Sequence, residues 1–564
     1  MNRELFGVFD DRETFERFRT NDEFDQVLAA PSVTVGIRDP DLGTPGWTSS
    51  YTDANGQCVV WGEAHAPDDD SSVARWLLER YRDVGRDALQ SLNGSYLAVL
   101  DAGTDDDSFV ATDPIRSREC FYTDESDSRV FGTDAGEVGR TIPEPTIDRD
   151  GVLEFLHLGV ALGEKTAVSE LNRLPVDSVL TVDSVDPLER FVYRPETFDY
   201  TAELADRLER AFQRRSVLPD ASGVLLSAGF DSRIILSQHS SLDRGYTVGE
   251  PDAQEVRVAD RLADQYGVSH TAFPPDERYL LPDESKVRYS QGIKESLHIH
   301  HAGYTDEIDV DTMFHGLLCD TFFRGHFTAE TTVDVLDKRI PTGTLDPDPD
   351  PVGELLETFG YSPEASRELA ARTSFDVDPE TFVETAIEDE LDARASRAES
   401  VQNTINCVGI ANQPSLPFHT QLSDQFVTAF LATDRELIDW HLRTPPEHRT
   451  TETFLEACKR LDDDILRHRP PDRPHDATLL NEIERFVRRK TPFLKSFQPP
   501  WPDRERLFER YDFDQRFLAD LEHVHELPVR HKLRLVDLRG WLAYWGAAET
   551  CSLPWLTPRE FATA

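Results

Sequence analysis

Residues 223–236 read GVLLSAGFDSRIIL, and the fold is decided in this stretch. Val224–Leu226 has the short apolar character of a buried strand. Ser227-Ala228-Gly229-Phe230-Asp231-Ser232 is small and polar enough for a tight loop, and a helical pattern starts directly after it. A strand, a tight loop and a helix N-terminus bring backbone N–H groups and the positive helix end to one point, which suits a phosphate. Ser227 and Ser232 can donate further hydrogen bonds to phosphate oxygens. Asp231 would repel a phosphate directly, so it makes sense there only with Mg²⁺ between them. No lysine of the G-x-x-x-x-G-K-[ST] kind follows, which excludes a Walker loop.

Working outward, helical and strand patterns alternate from Thr201: TAELADRLERAFQRRS, GVLLS, DSRIILSQHSS, GYTVG, AQEVRVADRLADQYG. That alternation predicts an α/β unit with a parallel sheet and crossover helices. Toward the C-terminus the pattern is largely helical. The acidic, Pro-rich stretch 341–353, PTGTLDPDPDPVG, reads as a loop or cover. Upstream of a Pro-containing bridge, FVYRPETFDY, residues 1–195 look different. Short apolar runs such as QCVVWGEA, GSYLAVLDA, DSFVATD and RVFGTD are separated by turn residues, as in a β-rich domain. One helix interrupts them, with Val73, Trp76, Leu77 and Tyr81 on one face. Two domains are therefore expected, 1–195 and 200–564.

Bulk properties narrow the function classes. Among 564 residues, 106 Asp and Glu face 59 Lys and Arg, a formal net charge of -47. The acids are spread along the chain, as expected of a surface adapted to high salt, where screening removes self-repulsion. Nucleic acid is excluded as a partner because phosphate-backbone binding needs a basic patch. No apolar run is long enough to span a bilayer, and the charged start MNRELFGVFDDRE is unlike a signal peptide, so a cytoplasmic location is expected. Six scattered cysteines without C-x-x-C suggest reduced thiols.

The loop S-A-G-F-D-S resembles the S-G-G-x-D-S pyrophosphate loop of enzymes that cleave ATP to AMP and pyrophosphate. TVGEPDAQEVRVADRLADQYGVSH (247–270) is similar to the next unit of the asparagine synthetase family, with Thr247, Gly249, Glu255, Ala259, Gly267 and His270 in order. FHGLLCDTFFRGHF (314–327) resembles the family's S-G-E-G-x-D-E-x-F-G-G-Y, keeping Gly316, Asp320, Phe323 and Gly325. WGEAHA, LNGSYLAVLD, ATDPIRSRECFY and RVFGTD resemble its glutaminase domain.

The resemblance implies an α+β, Ntn-hydrolase-like β-sandwich domain followed by an α/β parallel-sheet ATP-pyrophosphatase domain with a helical C-terminal part. It also implies roles for single residues. Leu226 and Val248 would hold adenine through their backbones, with Gly249 beside them. Ser227, Gly229 and Ser232 would cradle pyrophosphate, Asp231 and Asp320 would share Mg²⁺, and His315 and Gly316 would meet ATP and substrate. The implied activity is an amide-forming ligase that makes an acyl-AMP from ATP and a small-molecule carboxylate, with ammonia or an amine attacking. A homodimer is left open.

Three departures qualify it. The glutaminase nucleophile, a Cys after the initiator Met, is Asn2 here, and Trp61 replaces an Asn before Gly62 and Glu63, so no glutamine hydrolysis is expected. Leu317 stands where the family has the Glu of S-G-E-G. In LRHRPPDRPH, Arg469, Pro470, Pro471 and Arg473 replace the family's lysine region, which leaves Arg473, Lys490 or Lys495 as the cation for the adenylation transition state. These departures keep two alternatives open: a beta-lactam-synthetase-like or peptide- or other-metabolite ligase with a different acceptor, and a non-catalytic ATP-binding scaffold. His298, His300 and His301 are read as packing or pocket-lining groups, and Arg233 as a helix-surface residue.

Overall fold

The computed structural model describes the chain except residues 1, 68–71, 104–107, 127, 220, 335–338, 376, 476–477, 491–496, 500, 547–552 and 554–564. Residues 4–187 form two six-stranded sheets. In the first, Glu4–Val8 pairs antiparallel with Thr34–Arg38 on one side and Val130–Gly132 on the other. In the second, Gly56–Gly62 pairs antiparallel with Ser49–Asp53 and Tyr96–Asp101. Period-two alternation sends Leu5, Val35 and Ile37 of one sheet and Val59, Trp61, Leu97 and Val99 of the other into a shared core. The opposite faces are covered by helices. Helix Val73–Val84 packs Leu77 and Leu78 on Cys58, Val60 and Ala98, and helix Arg149–Leu158 joins the layer over Phe6 and Val8. The result is a helix–sheet–sheet–helix sandwich.

The link 188–199 has neither helix nor strand and leads to helix Tyr200–Arg214. Beyond it lies the expected parallel sheet. Its five strands in chain order are Ser222–Leu225, Leu242–Val248, Ser269–Phe273, Thr312–His315 and Val427–Phe430. In space they run third, second, first, fourth, fifth, all parallel. Val224, Leu226 and Phe314 face one apolar cluster, while Leu225 and Met313 face another, so the sheet is buried on both sides. The strand order reverses direction between the first and fourth strands, and in open α/β sheets the crevice beyond that point is where ligands bind.

Two expectations are corrected. Within the stretch read as a loop or cover, Arg339–Leu345 is a strand paired antiparallel with Glu330–Asp334, and Pro351 opens helix Pro351–Thr358. Alternating threonines outweigh Pro341 here: Thr331 and Thr342 hydroxyls meet at 2.5 Å across the pair. The C-terminal helix Val529–Trp545 also does not stay with the parallel sheet. Its Leu535, Leu538, Trp541 and Trp545 join the core beneath the first antiparallel sheet. No helix among the described residues is long and apolar enough to cross a membrane.

Candidate functional site

At the reversal point, the loop after the first strand meets the end of the fourth. Helix Asp231–Gln238 starts at the loop, so its first-turn N–H groups lack intrahelical partners and point along its positive end. The loop is held by its own side chains. Ser227 Oγ accepts from the Gly229 amide at 3.1 Å, and Ser232 Oγ accepts from the Ser227 amide at 3.1 Å and lies 3.2 Å from Ser227 Oγ. The Ala228 amide donates to the Glu255 carboxylate at 2.7 Å, so the loop already accommodates one anion. Arg233 fastens the other side, with Nε donating to Gly229 O at 2.8 Å and Nη2 to Ala228 O at 2.7 Å. Arg233 is fully buried, which corrects its reading as a helix-surface residue. The helix is packed all round, so an eight-residue periodicity has no solvent face to offer it.

Gly316 is where only a glycine fits. A Cβ there would lie 2.8 Å from Asp231 Cβ and 3.0 Å from its carbonyl carbon. This close approach joins the two strand ends. Leu318, just beyond, sits at φ 63, ψ 1 before helix Cys319–Phe323, a left-handed conformation that costs a branched residue about 1 kcal/mol. The turn brings Asp320 near enough for its charge to act on Asp231, and swings Arg324 Nη1 to 3.0 Å from Asp231 Oδ1. Burial raises the Asp231 pKa to about 6, with Arg324 opposing the shift and Asp320 adding to it. Arg473 reaches the same place: its guanidinium lies 5.8 Å from the Phe230 ring, where Arg324 stands at 5.5 Å and Arg233 at 5.4 Å. Three guanidiniums therefore surround one loop aromatic.

The structure thus gathers Ser227, Gly229, Asp231, Ser232, Gly316, Asp320 and Arg473. Lys495 and the Lys490 side chain lie outside the described residues. Leu226 and Val248 stand at adjacent strands, but the Leu226 amide donates to Tyr246 O at 2.8 Å and its carbonyl accepts from Thr247 Oγ1 at 2.6 Å. The Gly249 amide is committed to Phe273 O at 2.9 Å. Adenine would therefore meet carbonyl lone pairs and the half-buried Val248 side chain rather than free amides. His315 ends the fourth strand but turns toward His419 and Phe430, away from the loop helix. Arg324 was missed by sequence reasoning. The available signal was a cation one helical turn after Asp320.

Asp231 and Asp320 are hard oxygen donors of the kind Mg²⁺ takes, but among the described residues no three His, Cys, Asp or Glu side chains converge as a metal site, so a cation held there would need the phosphate oxygens of a bound nucleotide to complete its shell. Because Asp231 must be ionised to bind and its pKa is raised to about 6, Mg²⁺-dependent ATP affinity is expected to fall as pH drops through that value. The fall approaches about tenfold per unit. The same raised pKa means that ionising Asp231 costs stability as pH rises through it, a cost that cation binding relieves. Calorimetry between pH 5 and 8 tests this, and a flat affinity profile contradicts it.

In the sandwich, Arg3 occupies the interface beside Asn2. It pairs with Asp39 at 3.1 Å, contacts Asp41, and donates to Ser423 O at 2.7 Å. Arg118 lies 4.8 Å from the Trp61 ring and 5.1 Å from Trp47. Arg3 and Trp61, with Asp134, Arg288, Tyr289 and Asp424, line a cavity of about 30 Å³, room for about one water. Glu63 is not a free ligand group either. It pairs with Arg215 at 2.8 Å and accepts from the Phe430 amide at 2.7 Å. With the space filled by stacked guanidinium and indole groups, Asn2→Cys, alone or with Trp61→Asn, is expected to leave glutamine hydrolysis at background. Glutamate release above background would contradict this.

No family model and no curated protein matches the chain. Solved structures resemble it weakly, among them two enzymes. They are the allosteric regulatory enzyme of purine biosynthesis and the glutamine phosphoribosylpyrophosphate (PRPP) amidotransferase from B. subtilis complexed with ADP and GMP. Each has 12% identity and a TM-score of 0.21, covering 67% of this chain and 88% of the other. A superposition of that quality decides nothing about activity.

The histidines 298, 300 and 301 pack rather than ligate. His300 meets Trp501 edge-on at 5.1 Å and Tyr279 at a tilt at 5.4 Å, and His301 lies 4.4 Å from Phe418. Burial lowers the pKa of His298 to about 4 and of His301 to about 3, so both are neutral. The five described cysteines are buried and free, and Cys551 lies outside the described residues.

Proposed function

We propose that this chain is an ATP-dependent amide-forming ligase of the asparagine synthase type. It would join a carboxylate to AMP with release of pyrophosphate, and ammonia or an amine would then displace the AMP. The observation that carries this reading is the approach of Gly316 to Asp231 at the reversal of a parallel sheet. That approach gathers a phosphate loop, two carboxylates and two arginines.

Ser227, Ser232 and the first-turn amides would bind the phosphates that leave as pyrophosphate. Bound Mg²⁺, held by Asp231 and Asp320, would supply charge neutralisation between the phosphate oxygens. Arg324, released from Asp231, and the part-exposed Arg473 would turn to the charge developing at the α-phosphate. Arg233 keeps the loop in register by gripping two of its carbonyls.

Leu317 favours a second reading, in which the same adenylating chemistry serves a different acceptor. Its side chain packs against the apolar core, so it brings no carboxylate to the substrate side. Half-buried His300 and Phe418 with exposed Trp501 stand near the fourth strand end and suit a flat or apolar substrate better than aspartate.

AMP and pyrophosphate release, measured in molar KCl with Mg²⁺, tests both readings. Release dependent on aspartate and ammonium, with asparagine as product, supports the first. Silence with aspartate and turnover with another carboxylate supports the second. ATP binding without turnover of any carboxylate would leave only a nucleotide-binding scaffold.

A further inference from the structure

Eight large apolar side chains are exposed among the described residues, and four of them fall in one short stretch: Leu480, Ile483, Val487 and Trp501. The first three stand on helix Thr478–Lys490 at spacings of three and four residues, so they form a stripe along one face. The helix packs on strand Arg339–Leu345 and is tied to the candidate site. Arg485 lies 3.5 Å from Asp472, the neighbour of Arg473, and Glu484 meets His475 at 2.7 Å. Past the helix, Gln498 Oε1 accepts from the Gln254 amide, where helix Gln254–Tyr266 begins, and Trp501 meets His300. The stripe is thus anchored beside the crevice that holds the phosphate loop.

The charge of this stretch is opposite to that of the chain. Residues 485–502 hold five Lys and Arg and no Asp or Glu, in a sequence where acids outnumber bases 106 to 59. Two of the five, Arg485 and Arg488, are part-exposed on the helix that carries the stripe. Apolar side chains with basic neighbours suit a ligand that is apolar at intervals and acidic between. In molar KCl the Debye length is about 3 Å, so exposed charge alone holds little and the stripe must supply most of the contact.

We propose that the stripe of Leu480, Ile483 and Val487 docks an acidic polypeptide segment, and that a side-chain carboxylate of that segment is the group activated in the neighbouring site. The proposal rests on the ligase reading above. An acidic segment carries its own carboxylates, so one ligand answers both the basic stretch and the chemistry. In the step concerned, a carboxylate oxygen of the segment bonds to the α-phosphorus of ATP. The bond from that phosphorus to the bridging oxygen breaks, and pyrophosphate leaves with the electron pair. Other occupants fit the face less well. A free amino acid is too short for a stripe of about 10 Å, seven residues of helical rise. A second copy meeting the same face would set arginine against arginine. A bilayer interface takes an apolar helix face to a depth of about 5–10 Å. Here Leu480, Ile483 and Val487 are 51%, 44% and 44% exposed, so their own protein already covers about half of each.

The test uses the full chain in molar KCl with ATP and Mg²⁺, and fluorescein-labelled random copolymers as probes. A glutamate–leucine copolymer is expected to bind and to support ATP–pyrophosphate exchange. Polyglutamate should bind at least about tenfold more weakly, and a lysine–leucine copolymer should not bind. Leu480→Ala with Ile483→Ala and Val487→Ala keeps the helix, because alanine is the better helix former, and removes the stripe. This variant should bind the glutamate–leucine copolymer at least about tenfold more weakly and keep its ATP affinity within about twofold. No copolymer binding, or binding that the alanine variant keeps, overturns the docking face. Exchange with small carboxylates but not with the bound copolymer overturns the substrate assignment and leaves the ligase intact. Binding at the stripe without exchange by any carboxylate overturns the ligase reading and leaves the docking face. Retention on phosphatidylglycerol vesicles that the variant loses, or a dimer that the variant dissociates, overturns the proposal in favour of a lipid surface or a second copy.

Discussion

Asp231→Asn is expected to lower ATP–pyrophosphate exchange by at least about 1000-fold, while the protein stays folded. Removing preorganised charge stabilisation at a phosphoryl centre typically costs about 100- to 1000-fold for one donor, and a metal ligand costs more. Asn retains an oxygen that can accept from Arg324 Nη1, so the pair at 3.0 Å is weakened without leaving a bare guanidinium. The substitution also relieves burial of a charge already opposed by Asp320. The melting temperature should therefore change little, and the loss should appear in exchange alone. Asp320→Asn should follow it in direction, since both carboxylates are assigned to one cation. Exchange within about tenfold of the unaltered protein would remove Asp231 from the centre of the account.

The second large effect concerns the junction between the two halves. Arg215 is fully buried and bridges Glu63 of the sandwich at 2.8 Å and Asp434 at 3.0 Å. It also donates to Phe430 O at 3.1 Å. Burial alone would raise the Glu63 pKa, but Arg215 and His65 outweigh it and hold it below the usual range. Arg215→Ala leaves buried Glu63 with His65 and the Phe430 amide but no full cation, while Asp434 keeps Arg214 at 2.7 Å, and removing one partner of such a buried pair costs about 3–5 kcal/mol. Urea unfolding should show that loss nearly unchanged between low and molar KCl, because salt screens exposed pairs and not buried ones. Glu63→Gln with Arg215→Met should lose less than Arg215→Ala, since fewer unpaired charges remain. A loss below about 1 kcal/mol for Arg215→Ala would show that the junction is not held by this network.

The sheet was legible because strands and crossover helices carry their own periodicity. The loop was legible because small residues between strand and helix have few other uses. Gly316 and Asp320 could be placed from a diverged motif, and Arg473 as a replacement cation. What the sequence did not show was the destination of long side chains. Arg233 was assigned to a surface because local pattern assumes one solvent face, whereas packing surrounds that short helix. Arg324 was invisible because its partner, Asp231, lies 93 residues away. The bonds from His315 to His419 and from His419 to Ser95 span 104 and 324 residues, and no local rule links a histidine near a strand end to a serine in another sheet. Strand Arg339–Leu345 was hidden by Pro341 and by the acidic, proline-rich run that follows it, although its threonine alternation was there to read.

The transfer of oxygen tests the central claim most directly. A carboxylate labelled with oxygen-18 is supplied with ATP, Mg²⁺ and ammonium, and the nucleotide product is examined by mass spectrometry. An acyl-AMP intermediate puts one labelled oxygen into the AMP phosphate. Label appearing in inorganic phosphate beside ADP, or turnover with unlabelled AMP, would contradict the adenylating mechanism.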